Sequence, residues 1–136
     1  MMSGLEIKVG NLLGIPTNEA KFIVCKTDIK NLLVFYSAPL CDEFQLHRDI
    51  ARYNNIPHRN VLGGGKMKFE QHVLKFYDYS YDFGAIPREI VERLGEVVKE
   101  YISVNYSTNK IKINTQQFYC SKRNAKYWKN WGFKLK

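Results

Sequence analysis

The sequence predicts an α+β fold in which a single mixed β-sheet is flanked by two or three helices. Short apolar runs with strand-like composition recur along the first 80 residues. A long stretch after residue 87 has the three- and four-residue apolar spacing of a helix that packs one face on a sheet. Strands and helices interspersed in so short a chain favour one mixed sheet covered by helices.

The first predicted strands form a hairpin. Residues 21–26 and 32–36 are rich in β-branched and aromatic side chains, and the turn-forming residues 27–31 separate them. Residues 5–13 are only weakly apolar and end at a turn cluster. Between Cys41 and Tyr53, apolar residues recur at four- and three-residue steps, which predicts a short helix or a loop leading into one.

The second half of the chain predicts more strands and the longest helix. Residues 66–79 alternate well enough for two strands that turn at Glu70 and Gln71. Pro87 marks a helix start, because the first helical turn does not use the N–H that proline lacks. The apolar spacing continues this helix to Tyr101. The alternation of residues 110–114 predicts a late strand, and residues 121–131 are predicted to form a last basic helix.

Length and composition predict one soluble, cytoplasmic domain. The 136 residues fit a single domain over 1–136, with a basic aromatic C-terminal segment at 115–136. A hydrophobic content of 45% excludes the disordered and fibrous classes. No apolar run reaches the roughly 18 residues that a membrane span needs, and the N-terminus lacks the features of a signal peptide.

The positive charge is concentrated at one end of the chain. The formal net charge is +8, and residues 101–136 hold eight basic side chains and no acidic one. Such an asymmetry attracts phosphate-rich partners, including nucleic acid, and it also favours solubility.

The cysteines and histidines predict neither a metal site nor a cofactor. The three cysteines are odd in number and lack CxxC spacing, which argues against a disulfide framework and against zinc: they are Cys25, Cys41 and Cys120. The three histidines lack metal-ligand spacing, and no acidic cluster accompanies them.

Two segments predict an anion pocket. The triple glycine at 63–65 leaves the backbone unshielded, so that a ligand or another strand can approach closely, and Lys66 follows it directly. The loop 80–86 offers backbone N–H groups ahead of a helix N-terminus, where the helix dipole favours an anion.

Three further side chains complete the predicted site. Lys21 supplies compensating charge, and Ser80 supplies a hydroxyl donor. His47 is the base or the nucleophile, since the pKa of an unperturbed histidine is about 6.5. As a histidine at the edge of a loop, it is expected to contribute little to the core.

These residues also have purely structural interpretations. A triple glycine is most often a tight turn or a bulge, a lone histidine near a helix start is usually a surface or capping residue, and alternating tyrosines usually pack a sheet.

Three motifs occur in a recognisable order. They are His47-Arg48-Asp49-Ile50, then Leu62-Gly63-Gly64-Gly65-Lys66, then Val73-Leu74-Lys75-Phe76-Tyr77-Asp78-Tyr79-Ser80 with Phe83-Gly84 and an amphipathic helix behind it. In order and character they resemble the Janus/Ocnus family of protein histidine phosphatases, over roughly residues 21 to 114. The resemblance implies a mixed sheet between helices and the removal of phosphate from a phosphohistidine-containing protein, or another phosphorylated ligand, without a metal.

The resemblance also implies roles for individual residues. The catalytic base of the family corresponds to His47. The basic residue after the triple glycine, more often arginine in the family, corresponds to Lys66, and the lysine of the first strand corresponds to Lys21. The phosphate-binding loop falls on four consecutive residues: Tyr79, Ser80, Tyr81 and Asp82.

The chain departs from the family pattern at three points. The gap between His47 and the glycines is shorter by more than a helical turn. Asp82 stands where the family has a small neutral residue, and a carboxylate repels a phosphate unless it turns away or is neutralised. The basic tail has no counterpart in the family.

Two other functions compete with the phosphatase. Residues 118–136 interleave aromatic and basic side chains, as suits a non-catalytic module that binds nucleic acid or another anion. The same residues fit an amphipathic closing helix that buries Trp128 and Trp131, which we favour. A third candidate is a GNAT-like acyltransferase, since residues 124–133 resemble the closing segment of that family, but its pyrophosphate-binding pattern is missing at the start of the helix from Pro87 to Tyr101.

Overall fold

The computed structural model describes residues 5–13, 19–80, 82–106, 110–115 and 128–129. Within these ranges the chain forms six strands, two α-helices and two 3-10 turns. The strands are β1 Glu6–Leu12, β2 Ala20–Lys26, β3 Leu32–Pro39, β4 Val61–Glu70, β5 Val73–Tyr77 and β6 Lys112–Thr115. The helices are α1 His47–Tyr53 and α2 Arg88–Tyr106, and the 3-10 turns are Asp42–Phe44 and His58–Asn60.

The six strands form one mixed sheet in the order β1-β3-β2-β4-β5-β6. The outer pairs, β1 with β3 and β5 with β6, are parallel, and the three inner pairs are antiparallel. The predicted α+β fold with a single mixed sheet flanked by helices is therefore confirmed.

The sheet buries a different core on each face, because successive side chains of a strand point to opposite sides. The larger core lies on the α2 face, where the Phe22 ring packs against Phe35 and Phe76 with centroids 5.6 and 5.7 Å apart. The smaller core lies on the α1 face and includes Ile23 of β2 and Ile50 of α1. The helix α1 thus packs on the second face of the central strands.

Most predicted elements of the first 115 residues are present. The hairpin β2–β3 and the short helix α1 lie where the pattern placed them. The turn between β4 and β5 uses Gln71 and His72, both with positive φ, which is the two-residue turn that suits the twist of a hairpin. The helix α2 begins at Arg88, after Pro87, and continues past the predicted Tyr101.

The sequence did not predict β1. It is an edge strand parallel to β3. Leu5, which precedes the strand, and Ile7, which lies within it, enter the core. The apolar alternation is interrupted where the pairing register shifts between Val9 and Asn11. A strand with so few core positions leaves only a weak pattern.

The triple glycine lies inside β4, so that its interpretation as a tight turn is wrong. Gly63, Gly64 and Gly65 pair with Val24, Ile23 and Phe22 of β2. Val24 pairs with Gly63 and Cys25 with Val61, so the register shifts just before the glycines. The alternative interpretation of the glycines, a bulge, therefore applies to the residue before them.

The basic aromatic segment 115–136 lies outside the described residues except for Thr115, Trp128 and Lys129. Trp128 and Lys129 are helical, and Trp128 is fully buried in the same core as α2. No helix in the described part of the chain is long and apolar enough to cross a membrane.

Candidate functional site

His47 is the first residue of α1 and lies against β4. Only 6% of it is exposed, and its Nε2 atom lies 2.8 Å from the carbonyl oxygen of Gly65. Asp49 fixes the start of the helix, because its Oδ2 accepts the N–H of Leu46 at 2.8 Å. Ile50 anchors the helix in the smaller core. The expectation of a loop-edge histidine with little part in the core is therefore wrong.

The contact with Gly65 fixes the tautomer of the His47 ring. A carbonyl oxygen only accepts hydrogen bonds, so Nε2 carries the proton and donates it. The lone pair is then on Nδ1. This atom makes no hydrogen bond within the described part of the chain, and it is not among the fully buried polar atoms there. Nδ1 is thus able to accept a proton or to attack an electrophile.

Gly64 leaves the space that the His47 ring occupies. A Cβ atom on Gly64 would lie 3.1 Å from His47 Cδ2 and would collide with the carbonyl oxygen of Phe22. The φ of Gly64 is not positive, so the residue is required for its small size. The sequence suggested such a close approach of another strand to the unshielded backbone of the triple glycine.

The loop after β5 is attached to the same glycine. The N–H of Ser80 donates to the Gly64 oxygen at 3.1 Å, and the N–H of Gly64 donates to the Gly84 oxygen at 3.0 Å. The N–H of Gly84 closes the loop on the Ser80 oxygen at 2.8 Å. The sheet, the loop and the His47 ring therefore meet at Gly64, although they are distant along the chain.

The geometry of this loop differs from the expected cradle of free amides. Ser80 is fully buried, its N–H is used by Gly64, and its Oγ accepts the N–H of Phe83 at 3.1 Å. Ser80 therefore organises the loop. Tyr79 is 42% exposed, and its N–H donates to Asp78. Tyr81 lies outside the described residues.

Lys21 and Lys66 lie directly opposite each other on β2 and β4. Both are on the face that carries α1, since Lys21 alternates with buried residues of the other face. Burial lowers the pKa of Lys21, and the positive charge of Lys66 lowers it further. Like charges in this arrangement destabilise a sheet, and an anion between them would remove the repulsion.

Each lysine also has a local partner. The ammonium group of Lys21 donates to the carbonyl oxygens of Phe44, at 3.0 Å, and of Gln45, which lie just before α1. Lys21 thereby ties β2 to the segment that carries His47. The Nζ atom of Lys66 lies 3.4 Å from Asp78 Oδ2.

Asp82 is paired with a residue that the sequence interpretation did not single out. Its Oδ2 lies 3.4 Å from Nε of Arg48, the residue after His47. The carboxylate that was expected to repel a phosphate is therefore neutralised, and the ion pair joins α1 to the loop after β5. The one signal in the sequence was an unassigned arginine inside the histidine motif.

Asp78 is the second residue that was missed. It adopts a left-handed conformation with φ of 61°, which ends β5, and its side chain contacts both Lys66 and the N–H of Tyr79. Asp tolerates this conformation better than most residues. A single acid at the end of a strand has no sequence pattern that distinguishes it.

The pKa of His47 is lowered, chiefly because burial disfavours the charged ring. The hydrogen bond with Gly65 and the charges of Asp78 and Asp82 raise the pKa, whereas the charge of Lys21 lowers it. The net lowering keeps the imidazole neutral at pH 7, as a base or a nucleophile requires.

This lowered pKa predicts a pH dependence of stability. Below about pH 6.5 the unfolded chain protonates His47 while the folded protein does not, so that the free energy of unfolding falls as the pH drops through this range. We expect wild type to lose stability relative to His47→Gln as the pH falls from about 8 to about 5 in urea titrations. A difference that stays constant would mean that folding leaves the pKa of His47 unchanged.

One buried thiol and two clefts of the described part of the chain do not involve His47. Burial raises the pKa of the Cys25 thiol to about 12, which makes it unreactive. Two clefts, of about 190 and 340 Å³, open beside Tyr53 of α1 and beside Arg93 of α2. Neither is lined by His47. Among the described residues no three His, Cys, Asp or Glu side chains are placed to hold a metal ion.

No family model matches the sequence, and no curated protein matches it. A functional interpretation therefore depends on the chemistry of the residues around Gly64.

Proposed function

We propose that this protein is a phosphohistidine phosphatase that uses no metal, as the resemblance of its motifs to the Janus/Ocnus family suggests. The observation that carries the proposal is the state of His47. Its ring is neutral, Nε2 is held by Gly65, and the lone pair on Nδ1 is unused within the described residues. A base in this state, beside two lysines, suits reaction with a phosphoryl group.

The two lysines supply the electrostatic part of the proposal. Three phosphoryl oxygens carry most of the negative charge in the transition state, and positioned ammonium groups stabilise it. Lys21 and Lys66 are paired on the neighbouring strands β2 and β4, and Lys21 is bonded to the segment that precedes His47. Arg48 neutralises Asp82, so that this carboxylate does not oppose an incoming phosphate.

The reaction cleaves the P–N bond of phosphohistidine. In one form, Nδ1 of His47 takes a proton from water while the water oxygen forms the new P–O bond. The P–N bonding pair leaves with the imidazole of the substrate, which takes up a proton, and inorganic phosphate is the second product. In the other form, Nδ1 attacks phosphorus directly and water then hydrolyses the phosphorylated His47.

Removing the charge of Lys66 tests this site. We expect Lys66→Met to raise KM for a phosphohistidine peptide by about fivefold to tenfold, because one charge-assisted contact with the phosphate is lost. Lys66→Arg should restore binding, since a guanidinium also pairs with phosphate oxygens. The measurement is the release of inorganic phosphate in the presence of a chelator.

Lys26→Met is the matched control, because Lys26 is exposed at the other end of β2. It should leave both kinetic constants unchanged. The proposal is wrong if wild-type protein releases no phosphate from the peptide, or if Lys26→Met impairs release as much as Lys66→Met does.

The burial of Trp128 weighs against the competing nucleic-acid function. A tryptophan that is fully buried in the α2 core offers no face on which a base can stack. The remaining aromatic residues of that segment lie outside the described residues.

A further inference from the structure

One half of the α1 face carries a group of lysines, of which the proposed reaction uses only Lys66. The helix α1 packs against β2 and β3, and β4, β5 and β6 extend the same face beyond it. We call this area the lysine face and define it by four side chains: Lys66, Lys68, Lys75 and Lys112.

The strand register places these four lysines on one side of the sheet. Lys68 pairs with Lys75, Lys66 pairs with Tyr77, and Lys112 pairs with Val73. Residues that pair across neighbouring strands share a face, and the intervening residues of β4 and β5 enter the core on the other side. The lysine face keeps access to solvent: the side chain of Lys68 is 35% exposed, and Lys112 is exposed.

The charge of this face is only partly compensated. Glu70 lies 3.6 Å from Lys68, and Asp78 lies 3.4 Å from Lys66. Lys75 lies over the ring of Tyr77, 5.5 Å from its centroid, and has no carboxylate partner among the described residues. The direct pairing of Lys68 with Lys75 destabilises the sheet by itself, since like charges face each other. A face of this kind is complementary to an acidic partner.

We propose that the lysine face binds an acidic stretch of polypeptide in the phosphoprotein substrate. This inference rests on the proposed function, because Lys66 belongs both to the phosphate site and to the lysine face. Lysines two residues apart on a strand are spaced by about 6.7 Å, which is also the spacing of alternate side chains in an extended acidic peptide. An acidic segment next to the phosphohistidine would thus continue from the phosphate site across β4 and β5.

The same face is poorly suited to single-stranded nucleic acid. Sequence-tolerant binding of nucleic acid combines positive charge with aromatic side chains on which bases stack. Tyr77 is the aromatic side chain that the described strands β4 to β6 place here, and Lys75 covers its ring while its hydroxyl group is buried. Positive charge without a free aromatic surface favours a polypeptide.

Binding of an acidic peptide that contains no phosphorus tests the inference. The probe is a fluorescein-labelled peptide of about ten glutamates, and its binding is followed by fluorescence anisotropy at low salt. We expect the double variant Lys68→Gln/Lys75→Gln to weaken binding by about fivefold or more. The matched control is Lys26→Gln/Lys30→Gln, which removes one exposed lysine at the far end of β2 and one in the turn after it, and should change the affinity by less than about twofold.

The outcome is separable from that of the phosphatase proposal. The glutamate peptide carries no phosphate, so its binding does not depend on turnover. If the protein is a phosphatase, Lys68→Gln/Lys75→Gln should leave the hydrolysis of phosphoramidate unchanged and raise KM only for phosphohistidine peptides with acidic flanks. The inference fails if wild-type protein does not bind the glutamate peptide, or if both double variants weaken binding equally. It also fails if a single-stranded oligonucleotide of equal charge binds more tightly through Lys68 and Lys75.

Discussion

His47→Gln is expected to lower the turnover of a phosphohistidine peptide by about 10²- to 10⁴-fold, with little loss of stability. The Nε2 amide of glutamine can still donate to the Gly65 oxygen, which His47 Nε2 approaches to 2.8 Å. The amide has no basic lone pair in place of Nδ1, so the base or nucleophile is lost. Phosphate release and thermal unfolding of the same preparations measure the two effects.

Two further variants separate chemistry from folding. His47→Ala leaves the Gly65 oxygen without its donor and a cavity beside Gly64, and we expect it to destabilise the protein by about 1–3 kcal/mol. His58→Gln changes an exposed histidine and should leave turnover unchanged. Wild-type turnover in His47→Gln would exclude His47 as the reacting group.

Gly64→Ala is expected to produce the largest loss of stability, about 3 kcal/mol or more. The added methyl group would collide with the Phe22 carbonyl oxygen and would approach His47 Cδ2 to 3.1 Å. The first obstacle is backbone of the central strand β2, which cannot move without breaking its pairing with β4. Urea denaturation measures the change, and turnover should fall with it because the His47 ring is displaced.

Gly95→Ala is the matched control for this substitution. The nearest atom to a Cβ on Gly95 is Ile113 Cγ2 at 2.9 Å, a side-chain methyl group of the edge strand β6 rather than backbone of a central strand. Gly95 lies inside α2, where alanine gains about 1 kcal/mol of helix propensity over glycine. We expect a net change within about 1 kcal/mol. Equal losses in the two variants would mean that the space beside His47 is not what requires glycine at position 64.

The fold was largely predictable because its inner strands and its long helix have complete patterns. Residues 21–26 and 32–36 carry the β-branched and aromatic side chains of buried strands, and α2 has a continuous apolar stripe. The edge strand β1 was not predicted, because few of its side chains enter the core. The glycines of β4 have no side chains to show alternation, so the pattern predicted this strand only from residue 66, whereas β4 begins at Val61.

For the candidate site, the motifs predicted which residues lie near one another better than they predicted the geometry. The positions of Lys21, His47 and Lys66 around the glycines agree with the motifs. The burial of His47 and the use of the Ser80 amide depend on tertiary contacts with β4, which no local pattern specifies. The same is true of the ion pair between Arg48 and Asp82, whose partners are 34 residues apart in sequence.

The most direct test of the central claim is nitrogen NMR spectroscopy of the His47 imidazole during a titration with inorganic phosphate. We expect a neutral ring at pH 7 with the proton on Nε2, and a change in the Nδ1 resonance as phosphate binds between Lys21 and Lys66. The assignment follows from the resonance that His47→Gln removes. A proton on Nδ1 in the free protein, or an Nδ1 resonance that saturating phosphate leaves unchanged, would exclude Nδ1 of His47 as the reacting atom.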